Sequence, residues 1–190
     1  RIWVVDLNTG ALATGLNPIR VTTTPQDLDL TADGRFLLVA GQPTQANDAA
    51  VSVIDIERRA EVNTYGVGLW NCPIAAVDSD SVLVTDPGSS LVRRLTLSSS
   101  GALSDTGQTL GLSSPMQVIV SPDGRTGVAV GSSVLQSFVV AGMTPVDTRY
   151  LSSSVLSGVF GPGGYRLYTR NADNTVSFWP FNPATGQFGV

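Results

Sequence analysis

Ser121-Pro122-Asp123-Gly124-Arg125 sits between two apolar runs, Val118-Ile119-Val120 and Gly127-Val128-Ala129-Val130. Asp-Gly between alternating apolar segments signals a hairpin, because glycine supplies the positive φ that a tight turn requires. The phrase returns at Ala32-Asp33-Gly34-Arg35, Asp78-Ser79-Asp80-Ser81 and Gly161-Pro162-Gly163-Gly164. Between the turn positions Gly34, Ser81, Gly124 and Gly164 the steps are 47, 43 and 40 residues. A strand-built period in the forties marks a β-propeller, in which four-stranded blades stack around an axis.

Working outward, each unit reads as two hairpins. In the first full unit Leu28 and Leu30 alternate with Asp27 and Asp29, the turn reverses the chain, and 36–40 is the return strand. After a polar loop, Val51, Val53 and Ile54 open a third strand and 61–67 reads as the fourth. Later units predict strands at 74–77, 82–85, 91–97 and 107–112, then 117–120, 127–130, 134–140 and 146–151, then 158–160, 166–169, 175–180 and 187–190. No helix is expected. Residues 2–7 and 11–16 match the third and fourth strands of a further unit, since Asn8-Thr9-Gly10 parallels Asn182 to Gly186. The predicted fold class is thus all-β: a propeller segment of about four and a half antiparallel blades, an incomplete ring of a six- to eight-bladed propeller. Its parts are a half blade (1–21) and four blades (22–68, 69–112, 113–152 and 153–190). A chain that starts at Arg1 inside a strand-like run predicts further sequence upstream.

The 190 residues are 42% hydrophobic and 14% charged, enough to fold and too apolar for disorder. No apolar stretch approaches the ~20 residues of a membrane helix. All 11 basic residues are Arg, scattered, with a net charge of −4, so no basic stripe marks a nucleic acid or anionic membrane partner. One cysteine, Cys72, excludes an intrachain disulfide and reads as a small buried apolar residue.

Where Ser121 to Arg125 leads into the strand from Gly127 to Val130, the chain resembles the YVTN-type, WD40-like repeat of bacterial propellers. Val51-Ser52-Val53-Ile54-Asp55-Ile56 and Thr175-Val176-Ser177-Phe178 resemble its third strand. Asn182-Pro183-Ala184-Thr185-Gly186 resembles the turn between strands three and four of lactonase-like seven-bladed propellers. The second unit departs from the pattern with Asp80-Ser81, and the fourth with Gly163-Gly164. The resemblance implies the fold across nearly the whole chain. Its function is left open, because such propellers include surface and secreted proteins, scaffolds and a few enzymes.

No residue set names a reaction. With no His, Ser-His-Asp, Cys-His and His-ligated metal sites are excluded within the chain. The two Glu, Glu57 and Glu61, flank a hairpin end beside Arg58 and Arg59. Asp33, Asp80 and Asp123 hold turn positions, where carboxylates accept backbone hydrogen bonds. Asp27 and Asp29 share a face of an inner strand and are the channel-facing candidates, for a cation or polar ligand or as a hydrated wall. Loop residues Asn47, Asp48, Asp86, Asn171 and Asp173 offer acceptors. Trp70, beside Asn71, is an interface candidate that equally suits packing over the blade below. Trp3 and Trp179 occupy matching strands and read as blade-packing residues.

No catalytic or metal residue and no cofactor is assigned. The expected function is a binding or scaffold module of a secreted, periplasmic or cell-surface bacterial protein, recognising a partner through propeller loops. The alternative is part of a lactonase-like hydrolase whose catalytic residues lie mostly outside this chain. A third reading is a cofactor-bearing propeller subunit whose chemistry occurs on a partner. Exposed blade ends predict pairing with the remainder of the propeller, another copy or a different subunit.

Overall fold

A computed structural model describes residues 1–13, 15, 17–42, 50–66 and 73–189. Four sheets follow one another, each of four antiparallel strands in sequence order. The first blade holds β1 (Thr24–Leu30), β2 (Phe36–Gln42), β3 (Val51–Asp55) and β4 (Ala60–Tyr65). The second holds β5 (Ile74–Ala76), β6 (Ser81–Asp86), β7 (Leu91–Leu97) and β8 (Leu103–Gly111). The third holds β9 (Pro115–Val120), β10 (Thr126–Gly131), β11 (Val134–Val139) and β12 (Thr144–Tyr150). The fourth holds β13 (Val155–Phe160), β14 (Arg166–Asn171), β15 (Val176–Asn182) and β16 (Gln187–Phe188). The described residues contain no helix, and the propeller arrangement expected from the repeat is what forms.

The turn phrase has a specific chemistry. The Ser121 hydroxyl accepts the Thr126 N–H (3.2 Å) and donates to Asp123 Oδ1 (2.6 Å), which also accepts the Arg125 N–H (3.2 Å). Thr31, Asp33, Arg35 and Phe36 repeat the arrangement at 2.7–3.1 Å. Gly34, Gly124 and Gly164 hold φ of 71°, 72° and 74°, the left-handed region that a Cβ disfavours. The second blade differs from expectation. Its turn closes from Val77 N–H to Ser81 O (2.9 Å), one residue shorter, so Ser81 opens β6 and stands where Phe36 and Thr126 stand.

The turns between third and fourth strands share a second signature. Each has one residue at positive φ: Gly10, Arg59, Gly101, Met143 and Gly186. Gly10 N–H bonds to Asp6 O, and Gly186 N–H to Asn182 O, at 2.8 and 2.7 Å. Asp6 Oδ1 accepts the Asn8 N–H just as Asn182 Oδ1 accepts the Ala184 N–H. The amino-terminal segment therefore carries the third-to-fourth hairpin of a fifth unit. Among the described residues it is looser than the strands expected at 2–7 and 11–16, held by the bridges Ile2↔Ile19 and Val5↔Leu12. The Asn17 side chain fills between them, donating to Val4 O and accepting the Val4 N–H.

The core lies between sheets. Phe36, Leu38 and Ala40 of β2 meet Ile74, Val82 and Val84 of the second blade. Leu83 and Val92 meet Val118, Ala129 and Phe138 of the third. Val128, Val130 and Leu135 meet Leu167, Phe181 and Phe188 of the fourth. Val39 and Ile54 meet Ile2, Val4 and Ile19 of the amino-terminal pair. The second strands of the first three blades bury both faces, which is why they hold apolar runs such as Phe36-Leu37-Leu38-Val39-Ala40, whereas β14 of the fourth exposes Arg166 and Arg170. Each fully buried Leu or Val contributes about 1.5–3 kcal/mol, so these clusters dominate the stability. Polar ties add register. Arg94 of the second blade donates to Ala141 O of the third (2.8 Å), and Asp147 of the third accepts the Phe188 N–H of the fourth (3.0 Å).

Candidate functional site

The inner strands β1, β5, β9 and β13 wall a hollow of about 320 Å3, the central channel of the propeller. Asp27, Asp29 and Gln117 are its polar lining. Period two puts Asp27 and Asp29 on one face of β1, turned toward β5. Asp27 Oδ1 accepts its neighbour's N–H, Leu28 (3.0 Å), and Oδ2 accepts the Ile74 N–H (3.0 Å). Asp29 does the same for Leu30 (2.8 Å) and Ala76 (2.8 Å). Each carboxylate thus clasps two inner strands at their channel-side N–H groups. Gln117 of β9 accepts the Gly158 N–H of β13 (2.7 Å), the same clasp between the third and fourth blades. Both Asp lie along this hollow, with their oxygens engaged by the next blade's backbone. Neither has an ion-pair partner among the described residues.

The loop candidates divide. Asp86 is buried, with 2% of its surface exposed, and its Oδ2 meets Arg93 Nη2 at 2.8 Å and Nε at 2.9 Å. Its Oδ1 accepts the Ser89 N–H, and its hydrogen bond raises the pKa of Arg93. Asn171 is buried too, donating to Thr175 Oγ1 and Ser177 Oγ. Both were expected to face a partner; the turn's own need for acceptors and donors holds them inside. Asp173 is exposed. The Thr175 hydroxyl and N–H on its Oδ1 hold its carboxyl below the usual 3.8. Asn47, Asp48, Trp70 and Asn71, with Cys72, lie outside the described residues. The described residues bring no three His, Cys, Asp or Glu together as metal ligands.

Trp179 packs with Phe188 and donates to Thr169 Oγ1 (3.1 Å), as a blade-packing residue does. Trp3 does not fulfil that expectation: 55% of it is exposed. The reason is its position on the outward face of the amino-terminal pair, where Val5 and its bridge partner Leu12 are exposed as well. The fourth blade has an outward face too, with Val159, Val176 and Phe178 exposed. These apolar faces lie at the two ends of the stack, where the strand count leaves blades uncovered. Their signal in the sequence was the surplus half unit.

No protein-family model and no curated protein matches the sequence. Solved structures do. A functionally unknown protein from Desulfotomaculum acetoxidans superposes with a TM-score of 0.79 at 18% identity, covering 93% of this chain and 59% of that one. Kuenenia stuttgartiensis hydrazine synthase gives 0.77 at 23%, covering 98% and 58%. Pseudomonas aeruginosa periplasmic gluconolactonase gives 0.72 at 17%, covering 99% and 61%. The chain is a β-propeller segment. At these identities the likeness is one of fold, and the chain spans about 60% of the length of the structures it matches.

Proposed function

We propose that this propeller segment is a non-catalytic binding scaffold of an exported or cell-surface bacterial protein, of the YVTN-type, lactonase-like group, and that it meets its partner through the propeller loops. One observation carries the reading. The acidic and amide side chains best placed for chemistry, Asp27, Asp29, Gln117, Asp86 and Asn171, are all engaged in bonds that hold blades and turns. A rigid frame with its polar groups so engaged suits recognition by loops held in fixed positions. The second reading, part of a lactonase-like hydrolase, is supported by the fold shared with the gluconolactonase. Incubating the purified chain with simple aldonolactones and following acid release tests the scaffold reading. No turnover above the buffer rate is expected. Saturable turnover above that rate would overturn the scaffold reading, and its loss in Asp27→Asn or Asp29→Asn would assign the chemistry to those carboxylates.

A further inference from the structure

The amino-terminal pair has the third and fourth strands of a blade without the first two. The turn match sets its register: Asp6 and Gly10 stand where Asn182 and Gly186 stand, so Trp3 and Val5 correspond to Trp179 and Phe181. In the fourth blade those residues pack against the third, and β15 is paired on both edges. In the amino-terminal pair one edge bonds to the following segment through Ile2, Val4 and Asp6. On the other edge, the backbone groups of Trp3 and Val5 have no hydrogen bond among the described residues. The strand edge is open, and its outward side chains are apolar.

The first blade shows the same vacancy from its own side. Leu28 and Leu30 of β1 are 54% and 48% exposed. Their counterparts are packed against the preceding blade: Ile74 and Val118 in place of Leu28, Val120 and Phe160 in place of Leu30. The amino-terminal pair packs on Leu37, Val39 and Ile54, further out. What is lacking is a first and second strand.

We propose that this slot receives a two-stranded antiparallel β-hairpin, the inner pair of a further propeller segment of about three blades. The hairpin's second strand pairs with Trp3 and Val5 by β-augmentation, and its apolar face covers Leu28 and Leu30. The other end of that segment lies on Val159, Val176 and Phe178 of the fourth blade. Ring size selects this occupant over a second copy. Four and a half blades make 58–61% of the matched chains, which leaves the length of about three more, so two copies overfill such a ring, whereas a segment of about three blades closes it. The inference goes beyond the scaffold reading and holds whether the completed ring binds or hydrolyses.

The test supplies the hairpin. Residues 115–133, the chain's own inner pair with its following loop, are joined ahead of Arg1 of the full chain by a short glycine-serine linker. In a parallel protein, residues 155–174 take their place. Amide exchange at Trp3 and Val5 is expected to slow about tenfold or more in at least one fusion, with a blue shift of Trp3 emission read against Trp3→Phe. Leu28→Asp with Leu30→Asp removes that protection and leaves the circular dichroism of the unfused chain unchanged. Unprotected Trp3 and Val5 amides in both folded fusions overturn the proposal. So does protection already present in an unfused protein that sediments as a dimer, which assigns the slot to a second copy.

Discussion

Side-chain oxygens beside the turns are where single residues matter most. The Ser121 hydroxyl is the main cause of the lowered Asp123 pKa, and the Thr31 hydroxyl does the same for Asp33. Ser121→Ala is therefore expected to return the Asp123 carboxyl toward 3.8 in an NMR titration and to cost about 1–2 kcal/mol, the loss of hydrogen bonds at a closed turn. Asp33, Asp123 and Asp173 all have folded-state pKa values below 3.8, so the stability they add is present above that pH and is lost as pH falls through the lowered values. Acid melts should show it, less strongly in salt because the groups are near the surface. Asp80 has the opposite sign. Its carboxyl is raised by the hydrogen bond and charge of Asp78, so it opposes folding once both are ionised. Asp80→Asn is expected to raise the Tm at pH 7 and to give no gain at pH 3.

At the scale of elements, inner strands are joined by clasps and outer ones by packing. Asp29→Ala leaves the Leu30 and Ala76 N–H groups without their acceptor. A loss of about 1–3 kcal/mol in urea unfolding is expected, with Asn in the same place recovering part of it through its one carbonyl oxygen. Gly127 on β10 lies under the Phe138 ring, and a Cβ there would overlap the ring atoms. Phe138 is fully buried among Ala129, Leu83 and Val92, so it has little room to move. Gly127→Ala is expected to destabilise by about 1–3 kcal/mol, whereas Gly107→Ala, in the bulged stretch of β8 with open space around it, meets only its backbone strain. Tm differences between the two variants check the distinction. Element type and order were legible in the sequence because alternation and Asp-Gly turns are local. The short turn of the second blade was not: Asp78-Ser79-Asp80-Ser81 spells a polar turn in either length, and only pairing with β7 shows that Ser81 belongs to the strand.

For the whole molecule, stability follows how many faces each blade has covered. The second and third blades are packed on both sides, and the fourth on one. In a stack whose units contact only their neighbours, the end unit opens first. Native-state amide exchange should therefore be slowest in β6 and β10 and faster in β15 and β16. Equal protection in all four blades would mean that something covers Val176 and Phe178.

The sequence by itself determined the repeat, the strands, the turn chemistry and the surplus half unit, since each depends on contacts within a few residues of the chain. Tertiary structure alone decided what the polar residues do. Asp27 and Ile74 are 47 residues apart, as are Asp29 and Ala76, and nothing local to Asp-Leu-Asp-Leu says whether those carboxylates meet a ligand or a backbone. Stacking sets that register, because burying β2 against β6 brings β1 alongside β5. The same stacking leaves Trp3 uncovered while Trp179, at the equivalent position, is packed.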